Sequence, residues 1–243
     1  MKIVNYPYKI MCYNLKHEKR SKKIIKTRGI LYAVLAGISI SLGGTVFLRL
    51  KDAFPGGNVA GALLFTIGLF VICTRGYNLF TGKACYIPDN KPKYLITLAI
   101  IWLGNLLGCM LIAGLERLTG ICGTNGINET AETLVGAKMS ASLFSLFILG
   151  FLCNIFIFIA VDGFKNNKHE LGKYLALFLG VSIFILCGTE HSVADMYYWS
   201  VSGMLFANFG SSILRIIIIS LGNVLGGITF PLIEKAKNKL DKN

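Results

Sequence analysis

Charged residues are scarce in this sequence of 243 residues, since Asp, Glu, Lys and Arg together make up only 15%. A soluble domain carries about a quarter charged residues, so an ordinary water-soluble protein is excluded. Hydrophobic residues account for 54%, and the mean hydropathy is +0.62. Apolar runs recur that approach the ~20 residues a helix needs to span a bilayer. The composition therefore predicts an all-α integral membrane protein.

Motifs for metal, disulfide or covalent chemistry are also missing. The seven cysteines form no Cys-x-x-Cys pair and no His/Cys metal spacing, and of the three histidines only His191 falls in an apolar stretch. An enzyme would need a nucleophile–base pair or a metal cluster, so we expect neither enzymatic activity nor a cofactor. The N-terminal segment lacks the apolar core of a signal peptide, and we interpret it as a cytoplasmic arm.

The formal net charge of +13 is concentrated near the two ends of the chain. Nine of the 25 Lys and Arg residues lie in residues 1–28, and four more follow Pro231. These positions flank apolar runs, so the charge indicates contact with anionic lipid on the cytoplasmic face. Nucleic-acid binding is not expected.

Six apolar stretches predict six transmembrane helices. They lie at about residues 30–48, 58–82, 94–115, 139–161, 174–205 and 211–232. The termini and loops that would lie on one side of the membrane contain nineteen Lys and Arg residues, and those on the other side contain five. Because basic residues favour the cytoplasmic side, both termini are expected in the cytoplasm. The predicted organisation is a basic cytoplasmic arm (1–28), a six-span membrane domain (29–233) and a basic cytoplasmic tail (234–243).

Polar residues interrupt the second and fifth of these stretches. The first interruption is GYNLFTGK (76–83), and the second is GTEHSVAD (188–195), which carries Glu190, His191 and Asp195. At membrane depth, non-helical backbone is tolerated only where it is buried in protein or lines a cavity. We therefore predict that helices 2 and 5 are broken beside a pore or pocket.

The chain also contains an internal repeat. LGNLLG at 103–108 and LGNVLG at 221–226 are identical at five of six positions. The two interruptions can also be aligned, VICTRGYNLFT (71–81) with FILCGTEHSVA (184–194). Each half of the chain therefore has a broken middle span. Because three is an odd number of spans, the two halves would have opposite orientations, an inverted repeat typical of transporters and channels.

Each copy of the repeat carries one asparagine, Asn105 or Asn223. A buried amide is costly unless it is hydrogen-bonded. Each side chain could satisfy backbone groups freed at a neighbouring helix break, or it could form a simple hydrogen bond between helices that pack through small residues. Both interpretations are structural. We expect Glu190 likewise to support its break, by capping backbone or pairing with a base.

Three segments resemble signatures of the formate/nitrite transporter family. They are GALLFTIGLFVICTRGYNLFTGK (61–83), KMSASLFSLFILGFLCN (138–154) and CGTEHSVADM (187–196). The resemblance covers all six spans. It implies a homopentamer of aquaporin-like protomers in the cell membrane, each with its own pore for small monovalent anions. Formate, nitrite and hydrosulfide are substrates in that family.

The resemblance also implies which residues line the pore. Those on the substrate pathway would be Thr81, Lys138, Asn154 and His191. Those forming two apolar constrictions would be Phe65, Leu69, Leu79, Phe80 and Phe184. Lys138 would open the fourth span, and Asn154 would accompany it.

These residue types suit the anion of a weak acid. A bare anion meets a severe desolvation barrier in hydrocarbon. The positive charge of Lys138 could lower that barrier, and His191 could supply a proton or a hydrogen bond, because imidazole titrates near neutral pH. Thr81 could hold the histidine in orientation. The expected partners are small anions, protons and the lipid bilayer.

Three positions depart from the family pattern. Asn78 stands where an acidic residue is usual, Asp195 where asparagine is usual, and Arg75 where the residue is small or apolar. A buried Arg75 would need a partner, Asp195 or Glu190, unless it extends at a subunit interface.

The departures leave the substrate open. Hydrosulfide is the alternative to formate and nitrite within the family. A neutral-solute channel of aquaporin type is the alternative of another class, although the paired Asn-Pro-Ala breaks of that family are missing here.

Overall fold

A computed structural model describes residues 19–123 and 126–241, which are helical through most of their length. A 3₁₀ turn, Ile87–Asp89, precedes the fifth helix. The α-helices in chain order are α1 (Lys19–Leu50), α2 (Gly57–Phe65), α3 (Ile67–Arg75), α4 (Phe80–Ala84), α5 (Tyr94–Arg117), α6 (Ile127–Ser140), α7 (Leu143–Asn166), α8 (Glu170–Leu186), α9 (Ser192–Ser202), α10 (Met204–Ala207) and α11 (Phe209–Leu240). The predicted arm (1–28) lies mainly outside the described residues, and its last part belongs to α1.

Within the described residues, five helical segments are long and apolar enough to cross a membrane. They are Arg28–Leu50, Gly57–Arg75, Tyr94–Arg117, Leu143–Asn166 and Phe209–Leu240. The remaining predicted span, the fifth, is divided between α8 with 17 residues and α9 with 11 residues. At 1.5 Å per residue neither helix alone covers the roughly 30 Å of hydrocarbon, so the span depends on both halves.

The second predicted span is interrupted twice. At Thr66 the backbone N–H bonds the Leu63 carbonyl at 3.3 Å, and this tightened turn separates α2 from α3. The helix then ends at Arg75, where Gly76 adopts a left-handed conformation with φ of 70°, and it resumes at Phe80. The interruption at Thr66 was not predicted, because an apolar helical pattern runs through it.

The amphipathic helix α6 is an addition to the predicted topology, and it corrects the position of Lys138. This residue lies in the last turn of α6 and does not open the fourth span, which begins at Leu143. Between the two helices the backbone is extended, and the Ser142 hydroxyl accepts a hydrogen bond from the Ser145 N–H at 3.1 Å to cap α7. α6 was not predicted, because its charged residues leave no apolar stretch long enough to span a membrane.

The last helix is longer than predicted and includes most of the basic tail. α11 continues through Leu240, so residues 234–240 of the predicted tail (234–243) extend the sixth span as helix, and the last two tail residues lie outside the described part of the chain. Lys235 on this extension pairs with Asp89 at 2.7 Å and donates to the Pro88 carbonyl at 2.5 Å. These contacts attach the end of α11 to the 3₁₀ turn.

Two glycine-mediated helix pairs form the framework, α1 against α5 and α7 against α11. Gly108 lies directly against the Val34 carbonyl, and Gly226 lies against the Phe151 carbonyl. Gly226 follows Gly108 by 118 residues, and Phe151 follows Val34 by 117 residues, close to the spacing of the repeated motifs. Equivalent helices of the two sequence halves therefore pack in the same way.

The distribution of polarity is that of a membrane protein. Large apolar side chains such as Ile96, Leu107 and Phe144 are exposed on the outer surface, whereas Asn105, Asn154 and other amides lie fully inside. In lipid, outward apolar residues cost nothing, and interior polar groups need partners within the protein. The interior is therefore where chemistry is expected.

We predict that Gly108→Ala lowers the melting temperature of the detergent-solubilised protein by several degrees. A methyl group there would overlap the Val34 carbonyl and separate α1 from α5, and overpacking of this kind costs about 1–3 kcal/mol. Gly114→Ala in the same helix is the matched control, because open space surrounds that position. Equal melting temperatures for the two variants would contradict the assigned role of the glycine contact.

Candidate functional site

The two helix breaks meet at one hydrogen bond in the interior of the protein. The Thr81 hydroxyl, at the start of α4, lies 2.9 Å from Nε2 of His191, which immediately precedes α9. Both side chains are buried. Residues separated by 110 positions in sequence are thus joined where the two interrupted spans approach each other.

The backbone fixes the tautomer of His191. Its Nδ1 accepts a hydrogen bond from the Ala194 N–H at 3.1 Å, which caps the first turn of α9. Nδ1 therefore carries no hydrogen, and the proton of the neutral ring is on Nε2, directed at Thr81. Since the Thr81 oxygen accepts this bond, its own O–H remains available to another acceptor. While this bond is intact the free donor is the Thr81 O–H, and the Nε2–H becomes a second donor only when it turns from Thr81 to an anion.

Asn105 and Asn223 satisfy the backbone at the two breaks. The Asn105 carbonyl oxygen accepts from the Phe80 N–H at 2.8 Å, and its amide donates to the carbonyls of Ala33 and Asn78 at 2.7 and 2.9 Å. The first bond serves the beginning of α4, and the other two serve carbonyls of α1 and the break. Of the two roles considered for Asn105, the structure shows a combination, because one amide serves a break and also joins two helices.

The environment of Asn223 repeats this arrangement in the other half. Its oxygen accepts from the Ser192 N–H at 2.9 Å, and its amide donates to the carbonyls of Gly150 and Glu190 at 2.7 and 2.9 Å. In lipid these backbone groups have no water to bind, so each amide replaces three solvent contacts.

The hydrogen bonds correct the alignment of the repeat by one residue. Asn105 accepts a hydrogen bond from the Phe80 N–H, and Asn223 accepts one from the Ser192 N–H. Phe80 therefore corresponds to Ser192, and the preceding residue Leu79 corresponds to His191. The sequence overlay of 71–81 on 184–194 instead pairs Asn78 with His191. The glycines with positive φ agree with the structural alignment, because Gly76 and Gly188, at φ of 70° and 65°, are also 112 residues apart.

Two aromatic rings lie one after the other next to the histidine. The Phe184 ring stacks on His191 with centroids 5.5 Å apart, and Phe65 meets Phe184 edge to face at 6.3 Å. Leu69 follows Phe65 by one turn on α3 and is also buried. Phe65 and Phe184 therefore lie beside the histidine, with Leu69 one turn further along from Phe65.

The other two predicted constriction residues belong to the first break. Leu79 and Phe80 lie directly before Thr81, and both are buried. The Thr81–His191 bond therefore has buried apolar side chains near both of its partners, which excludes water and strengthens its electrostatics.

Asn154 was predicted to accompany Lys138, but its hydrogen bonds go to other residues. Its amide donates to the carbonyls of Thr81 and Asn223, at 3.1 and 2.6 Å. It therefore links the backbone of the first break to the helix that supports the second. Its side-chain oxygen is buried and has no hydrogen-bond partner among the described residues.

Lys138 is held by two carboxylates. Its ammonium group contacts Glu190 directly and lies 3.0 Å from Asp195 Oδ1. The sequence analysis expected the positive charge of Lys138 to lower the barrier for an anion, whereas the structure shows one lysine facing two acids that offset this charge. The suggested pairing of Arg75 with Asp195 or Glu190 is wrong, since Arg75 is exposed and Lys138 occupies both carboxylates.

A second polar cluster, which is partly buried, was not predicted from the sequence. Glu116 at the end of α5 accepts a hydrogen bond from Thr45, and it accepts one from the Tyr197 hydroxyl at 2.7 Å. Only the position of an acid within an apolar helix end signals this cluster in the sequence. No group of three or more His, Cys, Asp or Glu able to hold a metal ion is found in the part of the chain described.

Interrupted spans that meet through buried polar groups, inside a bundle with an apolar outer surface, define a multi-pass membrane transport protein and not an enzyme. A family model described as "Formate/nitrite transporter" matches residues 12–234. The chain therefore belongs to the formate/nitrite transporter family.

Individual relatives agree with this membership. An uncharacterized transporter of Bacillus subtilis (strain 168), YwcJ, is 28% identical over 219 residues, covering 84% of this chain and 86% of that protein. The formate channel FocA of Escherichia coli (strain K12) is 26% identical over 248 residues, covering 86% and 85%. A solved pentameric formate channel with formate bound has the same fold, with a TM-score of 0.77 at 23% identity, covering 90% of this chain and 99% of that one.

We predict that Asn223→Ala destabilises the protein severely, whereas Asn166→Ala does not. The first change leaves one N–H and two carbonyls without their partner in a buried region, and each such loss costs about 1–3 kcal/mol. Asn166 is exposed and bonds only the Asp162 side chain. Melting curves in detergent measure the difference, and a stable Asn223→Ala variant would refute the requirement for this support.

Proposed function

We propose that the chain forms a channel for small monovalent anions of weak acids, with formate and nitrite as substrates. The observation that carries the proposal is the Thr81–His191 hydrogen bond between buried apolar side chains. In this arrangement an anion receives a hydrogen bond from the Thr81 O–H and, by displacing Thr81 from Nε2, a second one from His191, at the point where hydration is lost. The formate channels among the relatives support the same substrate class.

In this proposal the apolar constrictions and the central donors have complementary tasks. Phe65, Leu69 and Phe184 on one side, with Leu79 and Phe80 on the other, exclude water and larger solutes. Thr81 and His191 then replace part of the lost hydration. The start of α9 adds a favourable helix dipole for negative charge at His191.

The role proposed for His191 is hydrogen-bond donation by the neutral ring. Protonation of Nδ1 would break its bond to the Ala194 N–H and remove the cap of α9. This favours a bond from Nε2 to the anion over transfer of a proton from the ring, the other role considered from the sequence. Asn154 acts in this scheme as a positioning residue, because it holds the Thr81 carbonyl.

Flux into liposomes containing the purified protein tests both the substrate class and the role of the histidine. We expect formate and nitrite to pass and larger anions such as acetate to pass less well. Hydrosulfide, chloride and a neutral solute such as glycerol are measured in parallel. Faster passage of hydrosulfide would favour the alternative substrate within the family, and passage of glycerol without anion flux would refute the proposal.

Two substitutions of His191 distinguish the role of Nε2 from that of Nδ1. In His191→Asn the side-chain oxygen can still accept from the Ala194 N–H, but the donor toward Thr81 is lost. We expect formate flux to fall about tenfold or more, the value of one hydrogen bond to a charged group. His191→Gln places an amide donor nearer to Nε2 and should retain more flux. Equal flux for both variants and the wild type would contradict donation from Nε2.

We propose that the functional unit is a homopentamer in the cell membrane with both termini in the cytoplasm. The pentameric relative and the exposed apolar outer surface support this assembly, and the excess of basic residues on one side supports the orientation. Native mass measurement of the complex in detergent is expected to give five chains. A stable monomer would contradict the assembly.

A further inference from the structure

A cluster of one basic and two acidic side chains lies beside the proposed pathway. Lys138 of α6 contacts Glu190 in the second break and Asp195 on α9. The exposed fractions of the three side chains are 14%, 8% and 1%, so Asp195 is the innermost member. Its second oxygen, Oδ2, is buried and has no hydrogen-bond partner among the described residues.

Among the residues that the structure describes, the surrounding groups do not supply a second positive charge to this cluster. Arg215 of α11 is directed to the Met139 carbonyl, at 2.6 Å, and to the Ser211 hydroxyl, at 2.5 Å. Glu116 on α5 bonds instead to a threonine and a tyrosine. The other ionisable side chains within electrostatic reach of Asp195 are Lys138, Glu190, Cys153 and Tyr198.

The cluster therefore carries one negative charge in excess when both carboxyl groups are ionised. A thiol and a phenol are neutral near pH 7 and cannot offset it. A net charge buried without a counter-ion is strongly disfavoured, and so is an ionised carboxylate oxygen that accepts no hydrogen bond. Binding of one proton at Asp195, the innermost member, makes the cluster neutral.

We propose that Lys138, Glu190 and Asp195 form a proton-binding site that controls anion passage. With the proton bound, the cluster is neutral and anions reach the centre of the pore. Without the proton, the extra negative charge repels them. The ligand of the site is a proton from solution, which reaches the cluster on the side of Lys138, the most exposed of its three members.

The cluster is close enough to the pathway for this effect. Glu190 directly precedes His191, and the Asp195 N–H bonds the His191 carbonyl at 2.9 Å. A full charge at roughly 10 Å, in an effective dielectric constant of about 20, changes the local occupancy of an anion by about tenfold. Loss of the proton should therefore reduce flux by about that factor.

The inference rests on the proposed anion channel, and Asp195→Asn tests it. The substitution keeps the shape and leaves one lysine facing one glutamate, so no additional proton is needed. We measure formate flux of the variant relative to the wild type between about pH 6 and 9, a range that includes neutral pH. Titration of the substrate itself cancels in this ratio.

We expect the ratio to be near one at the acidic end and to rise about tenfold at the alkaline end. Asp52→Asn, the same chemical change at an exposed position, should give a ratio near one throughout. A ratio for Asp195→Asn that does not change with pH would overturn the proposal.

Infrared spectroscopy provides a readout that does not depend on transport. The wild type near pH 6 should show the carbonyl band of a buried protonated carboxyl group, and both Asp195→Asn and Glu190→Gln should lose it. Absence of the band from the wild type, or its persistence in Asp195→Asn, would refute the proton site. Absence of anion flux in the wild type would instead refute the proposed function, while the infrared result still decides the proton site.

Discussion

The constraint on which the structure depends is that backbone groups inside a membrane have no water to bind. Helices satisfy this requirement by themselves, but α4 and α9 begin in the interior and leave N–H and carbonyl groups free. Asn105 and Asn223 provide the missing partners, with three hydrogen bonds each. Because the amides hold both sides of each break, the non-helical backbone at the centre can keep one conformation.

This support allows polar chemistry at the centre of an otherwise apolar pathway. The Thr81–His191 bond exists because each break exposes a side chain toward the other, and Asn154 holds the Thr81 backbone from a third helix. The same backbone bond that caps α9 also fixes the histidine tautomer. The geometry of the donors is therefore set by the elements that stabilise the fold.

The two halves of the chain share a framework but differ in their chemistry. The glycine contacts and the asparagine bonds recur in both halves, yet the position before the resumed helix is Leu79 in one and His191 in the other. The first half thus contributes apolar residues and a hydroxyl, and the second contributes the imidazole and the carboxylates that bind Lys138. A repeated scaffold can carry an asymmetric site because backbone support does not depend on the side chain at the break.

The sequence by itself determined the membrane class, the apolar spans, the existence of both breaks and the repeated asparagines. These follow from local composition, because the cost of placing a polar residue in hydrocarbon acts residue by residue. The site residues could be named from a resemblance, but their partners could not. Lys138 pairs with two acids, Asn154 with Thr81, and Arg75 with neither carboxylate. Such pairings, and the one-residue shift of the repeat, join segments that are distant in the chain, so only the tertiary packing of the helices decides them.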